Sequence, residues 1–163
     1  MGKKNYLGYI IAILSGLAVI GSAFLSLTMT SSLGKLTQGN SLFNEVLDFS
    51  TLDDGVKISA ILYLVAVLFS FVEIVYAIVG LIFAKKGKRL RVNVTIQRIF
   101  GCVVFIFTIS MFVFLGVYLS TLSNDYYNFN GIGTFVAVLA SLLLVQAEFS
   151  LRKSAKKKVE EKK

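Results

Sequence analysis

Few side chains in this sequence could do chemistry inside an apolar environment: Glu73, Arg98 and Glu148, with Gln97, Ser70 and Thr108 in reach of them by spacing. Glu73 interrupts a long uncharged run. A carboxyl in such a place must be protonated or meet a donor, because an acid at a helix centre costs about 2.5–3.5 kcal/mol on insertion scales. At 1.5 Å per helical residue, Glu73 lies about 16 Å from the nearer basic boundary, Arg98 about 9 Å and Glu148 about 4 Å. Depth alone predicts an Arg98 and Glu148 pair, flanked by Gln97 and Gln146. It leaves Glu73 neutral, hydrogen-bonded to Ser70, Thr108 or a backbone carbonyl. Two roles are open to Glu73: an interhelical hydrogen bond that fixes helix register, or a path for protons or cations.

Other chemistry lacks its residues. With no His, one Cys and no Pro, metal sites, thiol relays and disulfides have nothing to build on. Cys102, beside Gly101, reads as a small packing residue. Serines and threonines in the apolar runs have no base within reach, and Glu73 and Glu148 differ by about 12 Å in depth, too far for a carboxylate pair. Asp53 and Asp54 alone fall short of a calcium site, which uses about six to eight oxygens. The expectation is a protein that is not an enzyme and takes no cofactor or metal. No Gly-rich phosphate loop, internal repeat or inverted symmetry points to a transporter.

The elements that position these residues follow from composition. The chain is 56% hydrophobic and 16% charged, with a mean hydropathy of +0.77, against about 45–50% and about 25% for soluble domains. About 20 mainly apolar residues cross a bilayer as a helix. Runs of that kind cover about 6–29, 58–84, 92–120 and 132–151. The roughly ten-residue alternation of barrel strands does not occur. The prediction is an all-α integral membrane protein, an antiparallel four-transmembrane-helix bundle forming a single domain over 1–151, with a basic, disordered tail over 152–163.

Of the 17 Lys and Arg, all but Lys35, Lys57 and Arg98 fall before the first run, between the second and third, or after the fourth. Basic residues are retained on the cytoplasmic side, so both termini are expected there. The same placement accounts for the net charge of +8 without nucleic acid. The tail lysines would attract anionic lipid headgroups. The first apolar run exceeds the roughly 7–15 residues of a cleaved signal, so it reads as a retained helix. Tyr6 stands where myristoylation expects Ser or Thr, and the sole Asn-x-Thr triplet, Asn93 to Thr95, lies at the basic side. A bacterial cell (cytoplasmic) membrane fits this usage.

Membrane helices associate through small residues. In the second run Tyr63, Ala66, Ser70, Glu73, Ala77, Gly80 and Ala84 alternate three and four apart, a stripe suited to a left-handed bundle. Ala18, Ser22 and Ser26, with Ala12 and Gly16, mark the first run. Gln97, Gly101, Val104, Thr108, Met111 and Leu115 mark the third, and Thr134, Ala137, Ser141, Leu144 and Glu148 the fourth. In the first outer loop Ser41 can cap a short amphipathic helix with Leu42, Phe43, Val46, Leu47 and Phe49 on one side. That helix would rest on the leaflet or dock a partner. Asp53 and Asp54 mark the start of the second helix. The aromatics of the second outer loop, Tyr126, Tyr127 and Phe129, would cover the bundle mouth.

This layout of four spans, a longer first outer loop and a tight basic turn resembles claudins and tetraspanins. Their outer-loop Cys pairs and Trp-containing motif have no counterpart here, since Cys102 is the only Cys and Trp is absent. No activity carries over from them. The residues point to a non-enzymatic protein acting by binding, a small accessory, regulatory or protective subunit that docks on another integral membrane protein. The alternatives are a homo-oligomeric channel using Glu73 and a phage-type lysis protein.

Overall fold

Apolar segments without a single Pro keep every backbone donor, and inside a bilayer only intrahelical bonds can satisfy them. The computed structural model describes residues 4–32, 35–47, 53–86, 91–122 and 127–160. Its elements in chain order are α1 (Lys4–Ser22), β1 (Thr28–Ser32), β2 (Lys35–Gln38), α2 (Leu42–Leu47), α3 (Asp54–Lys85), α4 (Arg91–Thr121), β3 (Tyr127–Asn130) and α5 (Ile132–Glu160). Asp54 in the first turn of α3 and Lys85 in its last complement the helix dipole. Three helices, over Asp54–Lys85, Val94–Thr121 and Ile132–Leu151, are long and apolar enough to cross a membrane; the apolar helix Tyr6–Ser22 is shorter. Their outward faces expose large apolar side chains such as Leu68, Val75, Ile106, Val117 and Leu139. Water would not tolerate so continuous an apolar surface, and the chain is a helical membrane protein.

The four long helices pack in a ring, α1 on α3, α3 on α4, α4 on α5 and α5 on α1. Contacts at the two ends set their directions. At one end the Tyr6 hydroxyl donates to Ala84 O at 3.4 Å, and Gly8 lies against Leu151. At the other end Gly55 meets the Tyr118 ring, Gly133 meets the end of α1, and Asn130 Nδ2 donates to Phe112 O at 3.0 Å. Neighbouring helices therefore run antiparallel. We call the end that carries the strands the sheet end, and the opposite one the basic end.

The sheet was not anticipated from the sequence. Among the described residues it is the exception to an otherwise helical architecture, three antiparallel strands in the order β2, β1, β3. Met29 pairs with Gln38 on one side and with Phe129 on the other. Both connections at this end thus enter one sheet, which ties the α1–α3 crossing to the α4–α5 turn. Its strands are four or five residues long, and only Tyr127–Asn130 alternates aromatic with polar residues, over too short a run to announce a strand; their pairing is set by distant partners rather than by local pattern.

Two helix ends also differ from expectation. The first helix stops at Ser22 rather than near Met29. The chain turns through Ala23, Phe24 and Leu25, whose amides bond to Ile20, Gly21 and Ser22 carbonyls. Leu27 N then bonds to Asn40 O, and Gly131 N to Leu27 O. Hydropathy continues through this stretch, so it could not reveal where tertiary hydrogen bonds replace helical ones. At the other terminus α5 continues to Glu160, through residues assigned to a disordered tail. Residues 152–160 contain Lys, Ala, Arg and Glu and no Gly or Pro. Extending an existing helix avoids the nucleation cost that an isolated tail would face.

Gly133 locks the sheet end by close approach. A Cβ there would stand 2.7 Å from Ser22 O and 3.0 Å from both Leu25 O and Ser26 O, all backbone atoms of the α1 turn. At Gly21, on the outward face, a Cβ would meet nothing within 4 Å. Gly133→Ala is expected to cost about 1–3 kcal/mol, while Gly21→Ala loses nothing. Thermal unfolding of the helical circular dichroism signal in detergent, compared for the two variants, checks this.

Candidate functional site

The stripe of small residues on α3 carries Glu73 inward because 3.6 residues per turn keeps positions three and four apart on one face. Ala66, Ser70, Glu73, Ala77, Gly80 and Ala84 are all buried, and Glu73 is 0% exposed. On α4 the matching face buries Gln97, Gly101, Val104, Thr108, Met111 and Leu115. Gln97 Nε2 donates to Glu73 Oε1 at 3.4 Å across the α3–α4 contact. The carboxyl thus has an amide donor in the core, away from either membrane surface.

The partners expected for Glu73 are engaged elsewhere. Ser70 donates to Ala66 O at 2.8 Å. The Thr108 hydroxyl meets Ser141 Oγ at 2.8 Å, bridging α4 to α5, and also lies 3.0 Å from Val104 O. Short hydroxyl side chains on helices reach the carbonyl one turn back more easily than a neighbouring helix's carboxyl. Gln97, whose side chain is two bonds longer, crosses the gap. Sequence depth grouped Gln97 with Arg98, but consecutive helical residues point about 100° apart, so one enters the core while the other leaves it.

Arg98 is half-buried, and its guanidinium carbon sits 4.7 Å from the centre of the Phe149 ring on α5. This cation–π contact holds the charge near the basic end. The Glu148 side chain, its expected ion partner, lies outside the described residues. Gln146 is exposed and takes no place in a buried cluster with Arg98.

Two further expectations need correction. Ala18 is exposed, not part of the packing face. The buried residues described in α1 are Gly8, Tyr9, Ala12, Ser15, Gly16, Val19 and Ser22, a face that follows a spacing of three and four. A strict four-residue count through Ala18, Ser22 and Ser26 drifts off that face by about 40° per turn. Ser22 and Ser26 are buried, but Ser26 owes this to the turn after α1 rather than to the helix. In α2, Leu42 enters the core at the sheet end while Phe43 is exposed and stacks on Phe24 at 5.7 Å. These two therefore do not share one face. Ser41 Oγ accepts from Asn44 N at 3.4 Å, the capping bond expected of it. Val46 and Leu47 fall in α2 with side chains outside the described residues, as does Phe49 altogether.

Tyr63 is a cross-helix contact that stripe counting included but gave no role. It is buried, its hydroxyl contacts that of Ser22 on α1, and it donates to Gly133 O on α5 at 3.5 Å. A tyrosine in a row of alanines and serines is the signal, since a buried phenol needs a partner. Among the described residues no three His, Cys, Asp or Glu side chains gather as metal ligands. What the buried polar groups accomplish is cross-helix bonding at three levels: Tyr63 at the sheet end, Thr108 with Ser141 at mid-depth, and Glu73 with Gln97 toward the basic end. No protein-family model matches the sequence, and no curated protein matches it.

Gln97→Leu removes an amide donor from the buried carboxyl, and the expected cost is about 1–3 kcal/mol. Replacing both partners by leucine should cost less than that single change, because a carboxyl no longer needs satisfying. Unfolding equilibria of the two variants in mixed micelles measure the difference; equal or greater loss in the double variant would contradict the pairing.

Proposed function

We propose that this chain is a non-enzymatic membrane protein that acts by binding, a small accessory, regulatory or protective subunit seated on a larger integral membrane protein. In this reading all four long helices span a bacterial cytoplasmic membrane, with both termini inside and the sheet end outside. Support for the orientation comes from the antiparallel ring, which gathers Lys85, Lys86, Arg98 and the α5 extension at one end. The observation that carries the binding reading is the closure of Glu73: it is 0% exposed within one chain and bonded to Gln97. A carboxyl enclosed by its own bundle is placed to hold helices together rather than to line a pore between copies. The stripes of small residues are likewise occupied within the bundle. A partner would therefore meet the outward apolar faces or the sheet-end cap.

The test is composition. The full chain carries a tag at its C-terminus and is extracted gently with its native lipids, and the mass of what accompanies it is determined. A second integral membrane protein in fixed stoichiometry is the expected result. Only copies of this chain, in a defined ring, would overturn the reading.

A further inference from the structure

The turn after α1, the loop after β2, α2 and the start of α5 converge on a pocket of about 290 Å³ at the sheet end. It is lined by Phe24, Leu25, Ser26, Gly39, Asn40, Ser41, Asn44 and Ile132. Its walls are held by backbone bonds: Leu27 N to Asn40 O at 2.8 Å, Gly39 N to Thr28 O at 2.8 Å and Gly133 N to Ser26 O at 2.9 Å. The stacked Phe24 and Phe43 rings brace one side. The pocket is thus formed before any ligand arrives, which spares a ligand the cost of ordering it.

Its lining divides into two kinds. Phe24, Leu25 and Ile132 are exposed apolar side chains at the ends of helices whose outward faces suit lipid. Ser26, Asn40, Ser41 and Asn44 are uncharged and each can both donate and accept hydrogen bonds. Ser26 is only 7% exposed, and its Oγ has no hydrogen-bond partner among the described residues. A buried hydroxyl left so costs free energy that a ligand hydroxyl could recover. Among the described residues no charged side chain lines the pocket, so a phosphate or carboxylate would meet no counter-charge from them. The volume lies near the lower limit of about 300 Å³ for small-molecule sites, room for one small polar group.

We propose that this pocket binds a neutral, hydroxyl-rich group of the size of one hexose, the head of a glycolipid in the leaflet at the sheet end. The hydroxyls meet Ser26, Asn40, Ser41 and Asn44, and the acyl chains leave past Phe24, Leu25 and Ile132 along α1 and α5. The site stands whether or not the chain is a subunit of a larger complex, because it uses only residues of this chain.

Native mass spectrometry of the full chain tests it, in a detergent without a sugar head. The probes are monoglucosyl diacylglycerol, phosphatidylglycerol and methyl glucoside. One glycolipid adduct per chain is expected, favoured over phosphatidylglycerol by about fivefold or more and reduced by a similar factor in Ser26→Ala and Asn44→Ala. Asn44 is exposed, so its replacement leaves a valid test if Ser26→Ala disturbs the turn. Methyl glucoside that displaces the glycolipid, and is itself lost in the same variants, would support the site and assign the sugar to a free solute. Equal adducts of both lipids would overturn the proposal. So would glycolipid binding unchanged in variants that melt like the parent.

Discussion

Lipid tails are as apolar as leucine, so a helix inside a bilayer gains little by hiding leucines from them, and association rests on how closely backbones approach. The rest of this molecule depends on that constraint. Helices α1, α3 and α5 turn rows rich in Gly, Ala, Ser and Thr toward their neighbours, and α4 meets them with a bulkier face that includes Val104, Met111 and Leu115. Most of the remaining branched and aromatic side chains lie outside. Gly16 brings α1 against Ile74, Gly8 meets Leu151, and Gly133 rests on the backbone of the α1 turn. The close approach then brings polar atoms within bonding distance across helices. Thr108 finds Ser141, and Tyr63 touches both α1 and α5.

Within this frame the buried carboxyl follows from the packing. Glu73 occupies a position that smaller side chains hold on either side along α3, and the face of α4 offers an amide where the larger side chain needs one. A hydrogen bond of this kind inside a membrane adds modest stability, because the separated helices would find other partners. Its stronger effect is on register, since a shift of α3 against α4 would strand an acid in an apolar layer. The sheet at the other end acts similarly on the loops. By joining β1 to β3 it fixes the turn after α1 against the start of α5, and the pocket lies at that junction.

Much of the bundle was legible in the sequence because a membrane imposes a simple code. The rows on α3, α4 and α5 could be traced by spacing alone, since helices of 29 to 32 residues repeat the pattern several times. What escaped was set by contacts distant in sequence. The end of α1 is decided by hydrogen bonds to Asn40 and Gly131, not by a loss of hydropathy at Ser22. Strands of four or five residues are too short for alternation to announce them, even where Tyr127–Asn130 shows it. Ala18 was misplaced because a small residue on an outward face looks like one on an inward face until the neighbouring turns are aligned. Spacing placed Gln97 on the inward face of α4, but grouping it with Arg98 and Gln146 failed because depth says nothing about direction around a helix. The pocket was not legible: Ser26 reads as helix packing, and Asn40 in a loop and Asn44 in α2 carry no mark of a shared site until the fold brings them together.

On the proposed reading the polar interior of this bundle holds helices in place and conducts nothing. Proton and cation flux into sealed vesicles containing the purified chain, under imposed pH gradient and voltage, tests that most directly. The account predicts flux equal to that of empty vesicles, for the parent and for Glu73→Gln alike. Flux in the parent that falls on Glu73→Gln would contradict it.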